Sequence, residues 1–197
     1  FGRIIQAKAQ AEQGPVPERD SDGQRLLNAG GQTQMTSHDV SPRWVGSGWT
    51  VFNNKGKPVR QYEPFFTDTH HFEFDVRVGV SPMIFYDPLG RTVATLHPDH
   101  TWEKVIFDPW RQETWDAGDA VLIADPALDP DAGDFFRRLP DDAYLPTWHA
   151  QRINGALGPE AQSAAAKAAV HAATPTVSHT DALGRPVFTV AHNRTPS

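Results

Sequence analysis

The sequence predicts a mainly β protein assembled from β-hairpins, with one small helical insertion. Three observations predict it. A turn-and-strand phrase recurs: Tyr86-Asp87-Pro88-Leu89-Gly90-Arg91 runs into Thr92-Val93-Ala94-Thr95-Leu96, and Thr180-Asp181-Ala182-Leu183-Gly184-Arg185 runs into Pro186-Val187-Phe188-Thr189-Val190. Several stretches alternate apolar and polar residues, the period of a half-buried strand. Seventeen Pro and fifteen Gly favour many short elements joined by turns.

The phrase has a physical logic. Asp or Asn opens a turn by bonding nearby backbone, Gly supplies a positive φ, and an apolar-alternating strand follows. Phe52-Asn53-Asn54-Lys55-Gly56-Lys57, followed by Pro58-Val59, is a looser third copy, and Phe1-Gly2-Arg3-Ile4-Ile5 reads as the tail of a fourth. The Arg of each full copy can reach back to its Asp, making Asp87/Arg91 and Asp181/Arg185 staples within a repeat. The candidate site is therefore architectural: Asn53, Gly56, Tyr86, Asp87, Gly90, Arg91, Asp181, Gly184 and Arg185.

Taken in order, Phe1 to Gln10 reads as a strand centred on Ile4-Ile5. Ala11 to Asp39 is polar and reads as loop or one small hairpin, with Asp22-Gly23 and Asn28-Ala29-Gly30-Gly31 competing for the turn. Trp44 to Phe52 is strand interrupted by Gly46 and Gly48, and Lys57 to Phe66 continues after the turn. His70 to Val80 gives the clearest strand, with Phe72, Phe74, Val76, Val78 and Val80 on one face. Met83 to Tyr86 is a short strand, and Arg91–Leu96 pairs with Trp102–Phe107 across Pro98-Asp99-His100. Asp125 to Asp142 is Pro- and Asp-rich, and Asp142 to Asn154 is helical around Leu145, Trp148 and Ile153. Pro159 to Ala172 is a helix, with Pro in its first turn, Glu160 near its positive end and a run of Ala. Strands resume at Ser178.

Composition narrows the function. Hydrophobic residues at 39%, with six Trp and eleven Phe, suffice for a packed core. A net charge of −6 without a Lys/Arg cluster disfavours nucleic acid, whose phosphates demand cations. With zero Cys there is no disulfide framework and no thiolate metal site. No apolar run is long enough to span a bilayer. The chain begins at Phe1 inside a repeat phrase, so it reads as an internal piece of a larger protein, for which a missing signal peptide carries no information.

Constellations with possible chemistry have simpler explanations. His71, Glu73 and Asp75 share a strand face and could hold a metal, but the apolar alternation opposite already accounts for their placement. His97, Asp99 and His100 flank a turn. Asp129-Pro130-Asp131-Ala132-Gly133-Asp134 departs from the calcium-loop pattern, with Gly too early and no closing Glu. Asp141 and Asp142 show no convergence across a sugar. Ser47 lacks the spacing of a nucleophile elbow. The aromatics could stack on glycans, although aromatic residues in sheets are more often core. The sequence thus assigns no catalytic residue, no metal and no cofactor.

Tyr86-Asp87-x-x-Gly90-Arg91 resembles the YD repeat of Rhs-type proteins. The Trp-rich stretch from Arg43 to Phe66, with Gly79 to Asp87 and Thr101 to Trp110, resembles the B component of insecticidal toxin complexes and SpvB/TcaC-type proteins. The resemblance runs from Phe1 to about Asn193. It implies part of a hollow Rhs-type β-sheet shell that encapsulates a toxic C-terminal effector before delivery. It implies, as partners, the C-terminal Rhs/toxin component with its cargo and other toxin-complex subunits, and it implies secretion. No nucleic acid and no membrane contact are expected of this segment. Residues 1–124 would be a YD-repeat segment, 125–175 a loop and helical insertion, and 176–197 the start of the next strand pair. The family's aspartyl self-cleaving site belongs to the far end of the shell, and no phrase here matches it. The competing expectations are a surface carbohydrate-binding module and a hydrolase using Asp131 or Asp134.

Overall fold

The computed structural model describes residues 4–193. The chain is mainly β. Its strands are β1 (Lys8–Ala11), β2 (Arg43–Gly46), β3 (Thr50–Phe52), β4 (Pro58–Gln61), β5 (Phe65–Thr67), β6 (Met83–Tyr86), β7 (Thr92–Leu96), β8 (Trp102–Phe107), β9 (Arg111–Trp115), β10 (Thr176–Thr180) and β11 (Pro186–Val190). Three helices, α1 (Gly133–Phe136), α2 (Trp148–Ile153) and α3 (Pro159–Val170), lie between β9 and β10. The described residues form two compact units, 4–53 with 60–81, and 54–59 with 82–193.

In the first unit, β1, β2 and β5 form an antiparallel sheet with β2 central. Gly46 faces Phe65 across the ladder, and a Cβ there would come within 2.7 Å of the Phe65 ring. The expected first strand starts later, at Lys8. The truncated fourth phrase lies partly outside the described residues, and Ile4 and Ile5 are exposed.

The polar stretch after β1 is more ordered than expected, because the two candidate turns do not compete. Both form, as consecutive hairpins bridged at Arg19–Arg25 and Leu27–Thr33. Their flanks interlock: the Leu26 amide donates to the Glu18 carbonyl (2.9 Å), the Gln34 amide to Leu26 (2.8 Å), and the Glu18 amide to Gln34 (2.9 Å).

The strand expected over His70–Val80 is absent. Asp75 takes φ 53° and Gly79 φ 68°, which break the extended path. Side chains satisfy much of its backbone instead of a neighbouring strand. Gln6 exchanges two 3.0 Å hydrogen bonds with the Glu73 backbone, and Lys8 Nζ donates to the His71 carbonyl at 2.5 Å. Val76 is buried, but Phe72 and Phe74 are exposed and pack against Trp49.

The second unit is a six-stranded antiparallel sheet in the order β11-β10-β9-β8-β7-β6. Four of its connections are tight turns, and the fifth, β9 to β10, makes the helical excursion. Strand β9, Arg-Gln-Glu-Thr-Trp, escaped the sequence reading because it has no apolar alternation; it is placed by ladders to β8 and β10. The excursion covers one sheet face. Phe136, fully buried, meets Trp102 edge-on at 5.1 Å and Tyr144 at 5.5 Å, above Ala94 and Leu96. Burying a side chain of that size contributes about 2–3 kcal/mol. The helix expected from Asp142 starts only at Trp148. Pro146 disfavours helical backbone at Leu145, and Thr147 caps the shorter helix through its side chain.

Candidate functional site

The repeated turn has one reproducible geometry. At Asp87 the backbone amide donates to the Arg91 carbonyl (3.0 Å), and the Gly90 amide returns to the Asp87 carbonyl (2.9 Å). The carboxylate accepts from the Arg91 amide at 2.9 Å and from its Nε at 2.7 Å. Asp181 repeats each bond: 2.9 Å to the Arg185 carbonyl, 2.9 Å from Gly184, 3.0 Å from the Arg185 amide and 2.8 Å from its Nε. Gly90 and Gly184 have φ of 81° and 73°, the left-handed conformation that closes a three-residue hairpin loop on a bulge. A register irregularity accompanies both hairpins, at Phe85/Tyr86 and at His179/Thr180. The Tyr of the phrase is anchored separately, its hydroxyl donating to the Pro58 carbonyl at 2.8 Å. In the third copy, Gly56 has φ 72° between β3 and β4.

Bonding to Arg185 holds the Asp181 carboxyl below its ordinary value of 3.8. At Asp87, desolvation pushes the carboxyl up, but the bonds from Arg91 outweigh it and the group also lies below 3.8.

Two further copies went unread in the sequence. Asp20 and Asn28 accept from the amides two and four residues on, at 2.9 Å each for Asp20 and at 2.9 and 3.0 Å for Asn28. Gly23 and Gly31 stand where Gly90 and Gly184 stand, with φ 77° and 74°. These copies end in Gln rather than Arg, so the shared signal is Asp or Asn followed by Gly three residues later. The His97 turn is a variant in which His100, φ 64°, replaces the glycine.

The other candidates are engaged in packing. Glu73 takes Lys8 at 2.6 Å and also Arg19, while Asp75 pairs with Arg77 at 2.6 Å. His71 lies 4.2 Å from the His70 ring. The cation of the acidic loop is the buried Lys104 ammonium, 2.7 Å from both Asp129 and Asp131. Asp134 pairs with Arg137, and Asp141 accepts from the Tyr144 hydroxyl. Among the described residues no group of three or more His, Asp or Glu is arranged to hold a metal ion. An open hollow of about 610 Å³ includes Asp116, Asp119, His171 and His192. Asp119 is occupied there: its carboxylate accepts from the Thr174 amide and hydroxyl (both 2.9 Å) and from the Asp116 amide (2.9 Å). These bonds tie the two ends of the helical excursion together.

This fold and its repeated turn define a class of β-hairpin array. Among solved structures the chain is similar to TcdB2-TccC3 (23% identity, TM-score 0.61, 100% of this chain). It is also similar to TcdB2-TccC3-Cdc42 (22%, 0.63, 99%) and to the Photorhabdus luminescens Tc holotoxin pore (23%, 0.58, 97%). The chain therefore shares its fold with a stretch of Tc toxin complex components, and spans about 7% of the length of those chains. No family model and no curated protein matches the chain.

Proposed function

We propose that this chain is a wall segment of a toxin-complex shell of the Rhs, YD-repeat type, in a secreted SpvB/TcaC-like component that encapsulates a C-terminal toxic effector. The carrying observation is the fold likeness to Tc toxin chains over essentially the whole segment. The work of such a segment is containment. Hairpins stapled at their turns build a continuous sheet, and a sheet closed on itself leaves no edge to recruit other chains. The reading gives the segment no catalytic residue. Its partners would be the Rhs/toxin component that completes the shell, the enclosed cargo and other toxin-complex subunits.

The test is protease protection in the full-length protein. A C-terminal effector that resists digestion until the shell is denatured supports containment. Immediate digestion of the effector while the β segments stay intact refutes it.

A further inference from the structure

The meander of the second unit puts the β6–β7, β8–β9 and β10–β11 turns at one end of the sheet, opposite the β7–β8 turn and the helical excursion. Each of the three turns at this end carries one large apolar residue in solvent: Leu89 is 79% exposed, Trp110 58% and Leu183 76%. The same device fixes all three. The Trp110 amide donates to Asp108 Oδ1 at 2.8 Å, the Leu183 amide to Asp181 Oδ1 at 2.9 Å, and the Leu89 amide to the Asp87 carboxylate. A single exposed Leu needs no explanation. Three at matching turn positions, in a row along one sheet end, do.

Charge accompanies the row. Arg91, Arg111 and Arg185 are 46%, 45% and 72% exposed, whereas their carboxylate partners Asp87, Glu113 and Asp181 are only 13%, 13% and 28% exposed. The face offered to solvent is therefore apolar residues flanked by the outer sides of ion-paired guanidinium groups, with the exposed Asp108 carboxylate at the middle turn.

We infer that this end of the sheet docks an acidic amphipathic α-helix. Successive hairpins lie two strands apart, so the tips recur about every 10 Å. Seven residues of α-helix rise about 10.5 Å, so one apolar residue per heptad meets one tip. An extended strand presents same-face residues about every 7 Å and misses that spacing. Carboxylates beside the apolar stripe would meet the exposed Arg side chains. The inference rests on the second unit alone and does not depend on the shell reading.

The probe is a fluorescently labelled helical peptide of about 20 residues, long enough to span three tips. It carries Leu at every seventh position with Glu beside it, and its anisotropy is followed with the intact chain. Saturable binding, weakened about tenfold or more by Leu89→Ser, Leu183→Ser or Arg185→Gln, supports the inference; truncation of an interface anchor has effects of that size. Equal binding of a scrambled peptide, or of one with Lys in place of Glu, overturns it. So does self-association of the chain that the same substitutions abolish without peptide, which would make a second copy the occupant. The peptide with Lys in place of Glu leaves the chain unaltered, so it keeps the test decisive if a Leu variant folds poorly or if Arg185→Gln, which also removes the Asp181 staple, loosens the turn.

Discussion

Gly90 and Gly184 have φ of 81° and 73° at turns that set the register of two hairpins. A residue with a Cβ is strained there by about 1–2 kcal/mol, and a β-branched one by more. Gly90→Val and Gly184→Val should each lower the urea midpoint and open their hairpins to protease, whereas Ala182→Ser, in the same turn, should leave both unchanged. Protonation probes the same staples. Asp87 and Asp181 have folded-state carboxyls below 3.8, so their contribution is present above pH 3.8 and is lost as pH falls through the lower folded values. Protection of the Arg91 and Arg185 amides, taken relative to the intrinsic exchange rate at each pH, should fall over that acid range, and Asp181→Asn should remove that fall at Arg185. The staple was legible because Asp, Gly and Arg each serve one bond in a fixed spacing. The Asp20 and Asn28 copies were not, because Gln closes them and the Arg marker is missing.

At the scale of elements, turn signals located β6, β7 and β8: the Asp87-to-Arg91 phrase separates β6 from β7, and Pro98-Asp99-His100 separates β7 from β8. Alternation failed at His70–Val80, where the Gln6 and Lys8 side chains bond the Glu73 and His71 backbone and positive φ at Asp75 and Gly79 bends the chain. Those partners lie more than sixty residues away, beyond any local pattern. Lys104 was equally hidden, since nothing local pairs it with Asp129 and Asp131. Removing the ammonium would leave two close carboxylates uncompensated, one of them buried. Lys104→Met should therefore cost about 3–5 kcal/mol in thermal or urea unfolding. Adding Asp129→Asn and Asp131→Asn to it should recover part of that loss, and no recovery would contradict the pairing. Asp119 closes the neck of the helical excursion, so Asp119→Ala should cost about 1–3 kcal/mol. Exchange at the Asp116 and Thr174 amides should rise in that variant before exchange in β7 and β8.

For the whole molecule, the sequence carried the class of fold further than the chemistry. Repeated turns and a helical excursion were readable from Gly, Pro and Ala placement, and the candidate carboxylates Glu73, Asp75, Asp131, Asp134 and Asp141 turn out to be ion-paired or hydrogen-bonded within the scaffold. The likeness to Tc toxin components runs through essentially the entire chain, which spans about 7% of theirs. In the second unit, β11 is an edge strand and every one of its residues is exposed. Cryo-electron microscopy of the full-length protein would show whether the proposed containment shell exists. A hollow β-walled particle is expected, with this segment's six-stranded sheet in the wall and density for a cargo inside. A solid particle, or separate domains with this sheet free on a linker, would contradict it.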